Sequence, residues 1–504
     1  MFSGKVFHRL QAMDIFSPFI KNQLVGLLML RQRCSDSAPS LPNSSQSNKI
    51  RALLDAVALG VGSLEEMEIK VEQMNITPTP DLVIQIFNSC KTLPASPGSS
   101  SGRSRSRRLL RFFSWCINRS HEGFEDEVFN FAIRAFSEMM DLTAMGIAVS
   151  LLLKAGRRMD SATFVLVVET LVKAGKADEA VRLFRMMVER QLIPWVPQGG
   201  SRWSSITAVV QALCARGYAR KAEGIVWHHR EKICEEKEII YRCLLHGWCI
   251  HGDVKEARRT LNEMKSHGTD PGLASYNHLL RCICNRNLKL NPSGIVFEAM
   301  DLMTEMRSAG ITPNTVSFNI LLSCLSRGRR VKEALKILSF MKRREVECSA
   351  DQVSYYLVVK LLYLTNRIAK GNAIVNQMIE DEVKVSARFF HGLIGVLIGE
   401  DDVDCALEIF ERMKSYCLEN VGSTYDLLIE KLCRDGRFEE GKHLYDEAVE
   451  KGIVLQISGD LLDPLKTEVF KPTRSEDKIS QRCRMKLLQS RRKSSSRINE
   501  RNKK

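Results

Sequence analysis

One spacing governs what this chain can fold into. Ala180, Ala222, Ala257, Ala299 and Ala334 follow one another at 42, 35, 42 and 35 residues, and Gly371, Ala406 and Gly441 continue at 37, 35 and 35. Met264, Met306, Met341, Met378 and Met413 keep the same spacings from their own phase, as do Tyr241, Tyr276, Phe318, Tyr355, Phe390 and Tyr425. Cys214, Cys249 and Cys284 add a fourth series at steps of 35. Length alone suggests about three domains for 504 residues, but a fixed period overrides that estimate. The two steps of 42 have visible causes in a Pro/Gly segment, Val196 to Arg202, and in Asn291-Pro292-Ser293-Gly294, both expected as insertions in turns.

Within one period the pattern predicts two helices. In Leu273 to Asn314, Tyr276, Leu279, Leu280 and Ile283 share a helical face. Phe297, Met300, Met303 and Met306 form a second stripe, closed by Gly310 and Pro313 in the usual manner of a helix exit. Neither helix can bury its stripe alone, so neighbours must stack, and the recurring Ala or Gly lets paired helices approach closely. The expected fold is all-α, a solenoid of helix–turn–helix repeats. Nine units are expected over 126–456, beginning at 126, 161, 203, 238, 273, 315, 352, 387 and 422. Residues 51–125 are expected to form a helical cap, from Asp81 to Cys90 and from Leu109 to Asn118, split by a Ser/Gly/Arg-rich linker from Pro94 to Arg108. Residues 1–50 and 457–504 lie outside the array.

Composition narrows the function. Apolar residues make up 44% and charged ones 26%, enough to bury a sizeable core. No apolar run approaches the roughly 20 residues of a membrane span. The net charge is +15, but residues 471–504 carry +10 and residues 1–50 carry +4, leaving the 420 between near +1. A nucleic-acid groove in the body must therefore be a local basic stripe. The 15 cysteines contain no CxxC, and their periodic members read as small core residues in a reducing compartment.

The period, with "SYNHLL" at Ser275 to Leu280, "SFNILL" at Ser317 to Leu322 and "AGITPN" at Ala309 to Asn314, resembles that of pentatricopeptide repeat proteins, over about two-thirds of the chain. The 34-residue tetratricopeptide repeat is the nearest competitor, and its Trp-x-x-Leu-Gly pattern does not recur here. Units without alternating long and short variants resemble the plain P subfamily of plant organelles. The resemblance implies a right-handed solenoid in which each unit reads one base of single-stranded RNA. Reading falls to the fifth residue of the first helix and the last residue of the unit, and the second residue packs against the base. That assigns Asn130 with Asp160 and Asn319 with Asp351 to uracil, and Asn277 with Asn314 to a pyrimidine. Thr207, facing Lys237, hints at a purine, and Ile239, Val316 and Val353 are the expected base-packing residues. Val165 with Trp195, Arg242 with Gly272, Tyr356 with Ser386, His391 with Val421 and Asp426 with Gln456 match no readable combination.

No chemistry competes with that reading. The adjacent His228 and His229 cannot supply the i, i+4 pair of a zinc protease, and His229 occupies a core phase. Glu400-Asp401-Asp402-Val403-Asp404 lacks the glycine and closing glutamate of a calcium loop and suits a helix entrance instead. No nucleophile–base set emerges, so the chain reads as a non-enzyme without cofactor, metal, small-molecule substrate or membrane partner. Its first 35 residues hold Lys5, Arg9, Lys21, Arg31 and Arg33 against Asp14 alone, followed by a Ser/Asn-rich stretch, as in a mitochondrial presequence. Arg482, Arg484, Lys486, Arg491, Arg492 and Lys493 fit a phosphate-binding arm or a nuclear import signal. The expected place is the mitochondrion, with dual mitochondrial and nuclear residence or the chloroplast as alternatives. The rival to RNA binding is a helical-repeat scaffold for protein partners.

Overall fold

The computed structural model describes residues 50–59, 63–92, 101–120, 123–193, 204–233, 236–343, 348–417 and 422–464. The presequence, the basic tail with Arg482, Arg484, Lys486, Arg491, Arg492 and Lys493, and the code residues Trp195 and Val421 lie outside them. Among the described residues every regular element is helical. Two compact units divide at Ser205, just after the Pro/Gly segment.

The first unit holds α1 (Leu64–Gln73), α2 (Pro80–Thr92), α3 (Ser101–Arg119), α4 (Asp126–Glu138), α5 (Leu142–Lys154), α6 (Ser161–Lys173) and α7 (Ala177–Glu189). Helix α3 corrects the expected linker: residues 101–108 are helical and belong to it. Its apolar face reaches back far enough to bury the aliphatic part of Arg108, whose guanidinium donates to the Ala56 carbonyl at 3.3 Å.

The second unit runs α8 (Ser205–Ala215), α9 (Ala219–His228), α10 (Lys237–His251), α11 (Val254–Ser266), α12 (Gly272–Leu290), α13 (Ile295–Ser308), α14 (Thr315–Arg327), α15 (Val331–Met341), α16 (Gln352–Tyr363), α17 (Ile368–Glu380), α18 (Ala387–Gly399), α19 (Val403–Tyr416), α20 (Gly422–Arg434) and α21 (Phe438–Glu450). From α10 to α18 each even-numbered helix packs on its own odd-numbered partner and on the next even-numbered helix, and α20 packs on α21. The even-numbered helices thus form one continuous layer from α10 to α20.

The periodic residues explain the stacking. Tyr276, Phe318, Tyr355, Phe390 and Tyr425 and the five periodic methionines are buried, sealing each pair against the next. Ala257, Ala299 and Ala406 are fully buried where the second helix begins. At the same phase Gly371 lies so close to Tyr363 that a Cβ would come within 2.3 Å of the ring. The periodic cysteines pack as predicted: Cys214 and Cys284 are buried and Cys249 is half-buried, and burial raises the Cys214 thiol pKa. Gly310, with φ +75, ends α13 by donating to the Arg307 carbonyl while Ile311 donates to that of Met306.

Two expectations for unit 273–314 need correction. The extra residues do not form only a loop: α12 runs 19 residues against 13 for α14, and only Pro292–Gly294 make a short 3-10 turn. Phe297 does not join the buried stripe but is 76% exposed, near Leu290 at 77%, because Ile295, Ala299 and Leu302 take the inward face. His229 likewise is half-buried at the end of α9 and not a full core residue. Asp402, from the acidic run, caps α19 by accepting from the Cys405 amide at 3.2 Å.

Candidate nucleic-acid interface

In most units the fifth residue of the first helix touches the junction with the unit that follows. The contact takes two forms. In the open form the side chain meets a hydroxyl from the third residue of the next unit. Ser317 donates to Asn277 Oδ1 at 2.7 Å, and Ser354 donates to Asn319 Oδ1 at 2.6 Å. The same hydroxyls belong to capping boxes, in which Asn314 and Asp351 accept from the Ser317 and Ser354 amides. Asn319 Nδ2 also donates to Asp351 Oδ1 at 3.0 Å. Fifth residue, last residue and next cap are therefore one hydrogen-bonded set, and Asn319 keeps one amide hydrogen and one oxygen lone pair beyond it. His391 meets Thr424 Oγ1 at 2.8 Å in the same relation.

In the closed form the fifth residue binds backbone. Asn130, 2% exposed, donates to the Asp126 and Arg158 carbonyls at 2.7 and 3.0 Å and accepts from the Asp160 amide at 3.1 Å. Its hydrogen-bonding capacity is nearly exhausted, contrary to its expected role at a base edge. Asp160 itself caps α6 through Thr163 and lies 3.8 Å from Arg134. Asp426 accepts from the Gln456 and Ile457 amides, and Arg242 donates to the Asp270 carbonyl at 2.9 Å while pairing with Glu238. Thr207 is fully buried and donates to the Glu236 carboxylate, so the partner is the residue before Lys237.

The second-position residues separate in the same way. Val316 and Val353 stand 51% and 50% exposed on either side of Asn319, whereas Ile239 is half-buried. Two exposed β-branched side chains at a regular interval offer flat apolar surface without being needed for the core.

The sequence reading required a basic stripe and did not locate one. Four or eight residues beyond the fifth positions of three successive units stand Arg281, Arg327 and Lys360. Among the described residues none of the three pairs with a carboxylate. Arg327 donates to Asn285 Oδ1 of the preceding unit at 2.7 Å, and Lys360 sits 5.8 Å from the Tyr356 ring centroid. Other structured bases are answered by acids: Arg259 by Glu223, Glu256 and Glu263, and Arg437 by Asp404 and Glu440. The i+4 and i+8 offsets from Asn277, Asn319 and Tyr356 were the signal that locates the stripe.

Residues 236–285 match the PPR repeat family, 293–413 a family described as pentatricopeptide repeat-containing protein, and 162–192 and 423–453 the PPR repeat. A mitochondrial pentatricopeptide repeat-containing protein of Arabidopsis thaliana is 42% identical over 86% of this chain and 85% of its own length. A small ribosomal subunit protein of Arabidopsis thaliana, mL104, is 29% identical over 77% of this chain and 71% of its own. Among solved structures, yeast Rmd9p in complex with a 16-nt target RNA shares 13% identity at a TM-score of 0.40, covering 82% of this chain and 87% of that one.

Proposed function

The chain belongs to the pentatricopeptide repeat family, and from that premise we propose that it binds single-stranded RNA selectively and acts by occupancy in the mitochondrion. One observation carries the reading. Asn277 with Asn314 and Asn319 with Asp351 present adjacent, oriented amide edges, flanked by exposed Val316 and Val353 and by Arg281, Arg327 and Lys360, which have no carboxylate partner among the described residues. Amides read base edges, apolar side chains hold base faces and cations track phosphates. A bound strand would block exonucleases, keep a ribosome site unpaired or present an intron for splicing.

The preferred core is then 5′-(C/U)-U-3′, with the chain's amino end toward the 5′ end. The uracil assigned to Asn130 and Asp160, four bases upstream, depends on the closed Asn130 opening. Changing Asn319→Thr with Asp351 kept moves the second base of the core from uracil toward guanine. A mismatched edge costs on the order of 1–3 kcal/mol, so the shift is about tenfold or more. Selection from a random RNA pool with both proteins tests this; enrichment of the same base by both, or of no RNA, sinks the assignment.

A second reading, a scaffold for protein partners, is favoured by one feature. The lengthened α12 and its turn leave Leu290 and Phe297 each exposed, two large apolar side chains outside the repeat pattern. The similarity to a ribosomal subunit protein is consistent with it.

A further inference from the structure

Helices α10 and α12 bring two histidines from consecutive units into contact. The rings of His246 and His278 lie 4.2 Å apart between centroids, tilted by 48°. His278 follows Asn277 directly, and His246 stands one turn beyond the fifth residue Arg242, so the pair borders the base-reading row. Both rings are half-buried, and the exposed Arg281 acts on both. Three groups that are cationic, or become so on protonation, therefore face one another. Such a cluster is unstable to protonation alone and complementary to an anion.

The surrounding groups do not answer that charge. On α10, Arg242 pairs with Glu238, and burial pushes the Cys243 thiol up to about 11. At the matching phases α8 carries Gln211 and Ala215, and α14 carries Ile320 and Ser323, none of which titrates. In the odd-numbered layer Glu256 and Glu263 are tied to Arg259, and Glu305 to Arg258 and Lys265. Burial first and then the neighbouring charges depress both imidazoles, His278 to about 4. At neutral pH the pair is uncharged and Arg281 is the standing cation.

We propose that His246, His278 and Arg281 form a proton-linked subsite for a phosphodiester of the bound strand. The subsite rests on the RNA reading above. A phosphate oxygen accepts from the Arg281 guanidinium and from ring N–H donors, and its negative charge favours the imidazolium forms. The pKa of each ring is then higher in the complex than in the free protein. The added affinity is complete below the free-protein values and is lost as pH rises through the raised ones. RNA binding strengthens as pH falls, with proton uptake.

The test uses the full chain and a labelled 15-nucleotide uridine homopolymer, with Kd measured at pH 8 and pH 6. Calorimetry in two non-phosphate buffers of different ionisation enthalpy counts protons. Wild type should tighten about tenfold, which between these two values needs a ring whose pKa in the complex lies about one unit above pH 6. The His246→Gln/His278→Gln double variant, or His278→Gln alone if the double variant melts early, should flatten the profile. Wild-type affinity equal at both pH values, or a variant that keeps the wild-type slope, overturns the subsite. A second probe, inorganic phosphate, is followed by the histidine Cε1 NMR titration. Ring pKa values raised by phosphate without any RNA binding would uphold the subsite and defeat the RNA reading. RNA binding that leaves the ring titrations unmoved would do the reverse.

Discussion

Asn130 and Asn319 hold the same phase of their repeats, and each belongs to a unit that ends in aspartate, yet the two amides face different work. Asn130 clips α4 to the turn before α6 through two backbone hydrogen bonds, adds a third to the Asp126 carbonyl of its own helix, and is buried. Asn319 bonds only side chains, Asp351 and Ser354, and stays half-exposed. The turns differ as well. Asp126 accepts from the Arg158 amide at 3.2 Å, drawing the Arg157–Asp160 stretch over the start of α4, while Met159 donates to the Leu192 carbonyl. At Asn319 the junction carries Ser354, whose hydroxyl reaches the amide before the backbone can. Phase selects which residue stands at a junction; the turn decides whether that residue is structural or available.

The contrast is broken most directly by truncation. Asn130→Ala removes the partner of the Asp160 amide and of the Arg158 carbonyl, and should cost about 2–3 kcal/mol, since a buried orphan group costs roughly 1–3. Asn319→Ala, with Ser354 still bonded to Asp351, should cost under about 1 kcal/mol. Hydrogen exchange of α4 and α6 against α14 and α16, compared with denaturant melts, measures both; equal losses would erase the distinction.

Function should show the reverse order. Asn130→Thr is expected to leave selected RNA sequences as they were, whereas Asn319→Thr changes one base by about tenfold. A base change produced by Asn130→Thr in the selection would mean that the buried clip opens on binding.

Smaller effects sharpen the picture. Val316→Ser and Val353→Ser should each weaken RNA binding about fivefold, from roughly 1 kcal/mol of lost apolar contact, while the melting temperature stays within a degree or two. Ile239→Ser, at a half-buried site, should instead register mainly in the melt. Smallest of all, Arg327→Gln should lower the slope of log Kd against log salt by roughly 0.7, the share of one phosphate on a single strand. An unchanged slope would take Arg327 out of the strand's path.

Much of this was legible before any coordinate. Period, helix pairing, the buried aromatic and methionine rows and the close approach at Gly371 follow from neighbours within about one unit, where sequence spacing is a faithful ruler. So does the exposure of Val316 and Val353. Phe297 was misread because the lengthened α12 resets where α13 begins its inward face. The helical start of α3 was hidden by arginines, poor partners for a helix entrance, although the stem of Arg108 is buried. The inward turn of Asn130 and the meeting of His246 with His278 depend on which particular side chains a turn brings together, which composition and period do not encode.

The hydroxyl of Ser354 has a further consequence. It serves the cap of α16 and the amide of Asn319 at once, and Ser317 does the same for α14 and Asn277. Groups that share a hydrogen bond do not contribute additively. On the proposed reading the alphabet of this surface is made of overlapping pairs: altering the cap of one unit would rewrite how the unit before it is spelled, and a transplanted unit would carry its meaning only if the serine that follows travels with it.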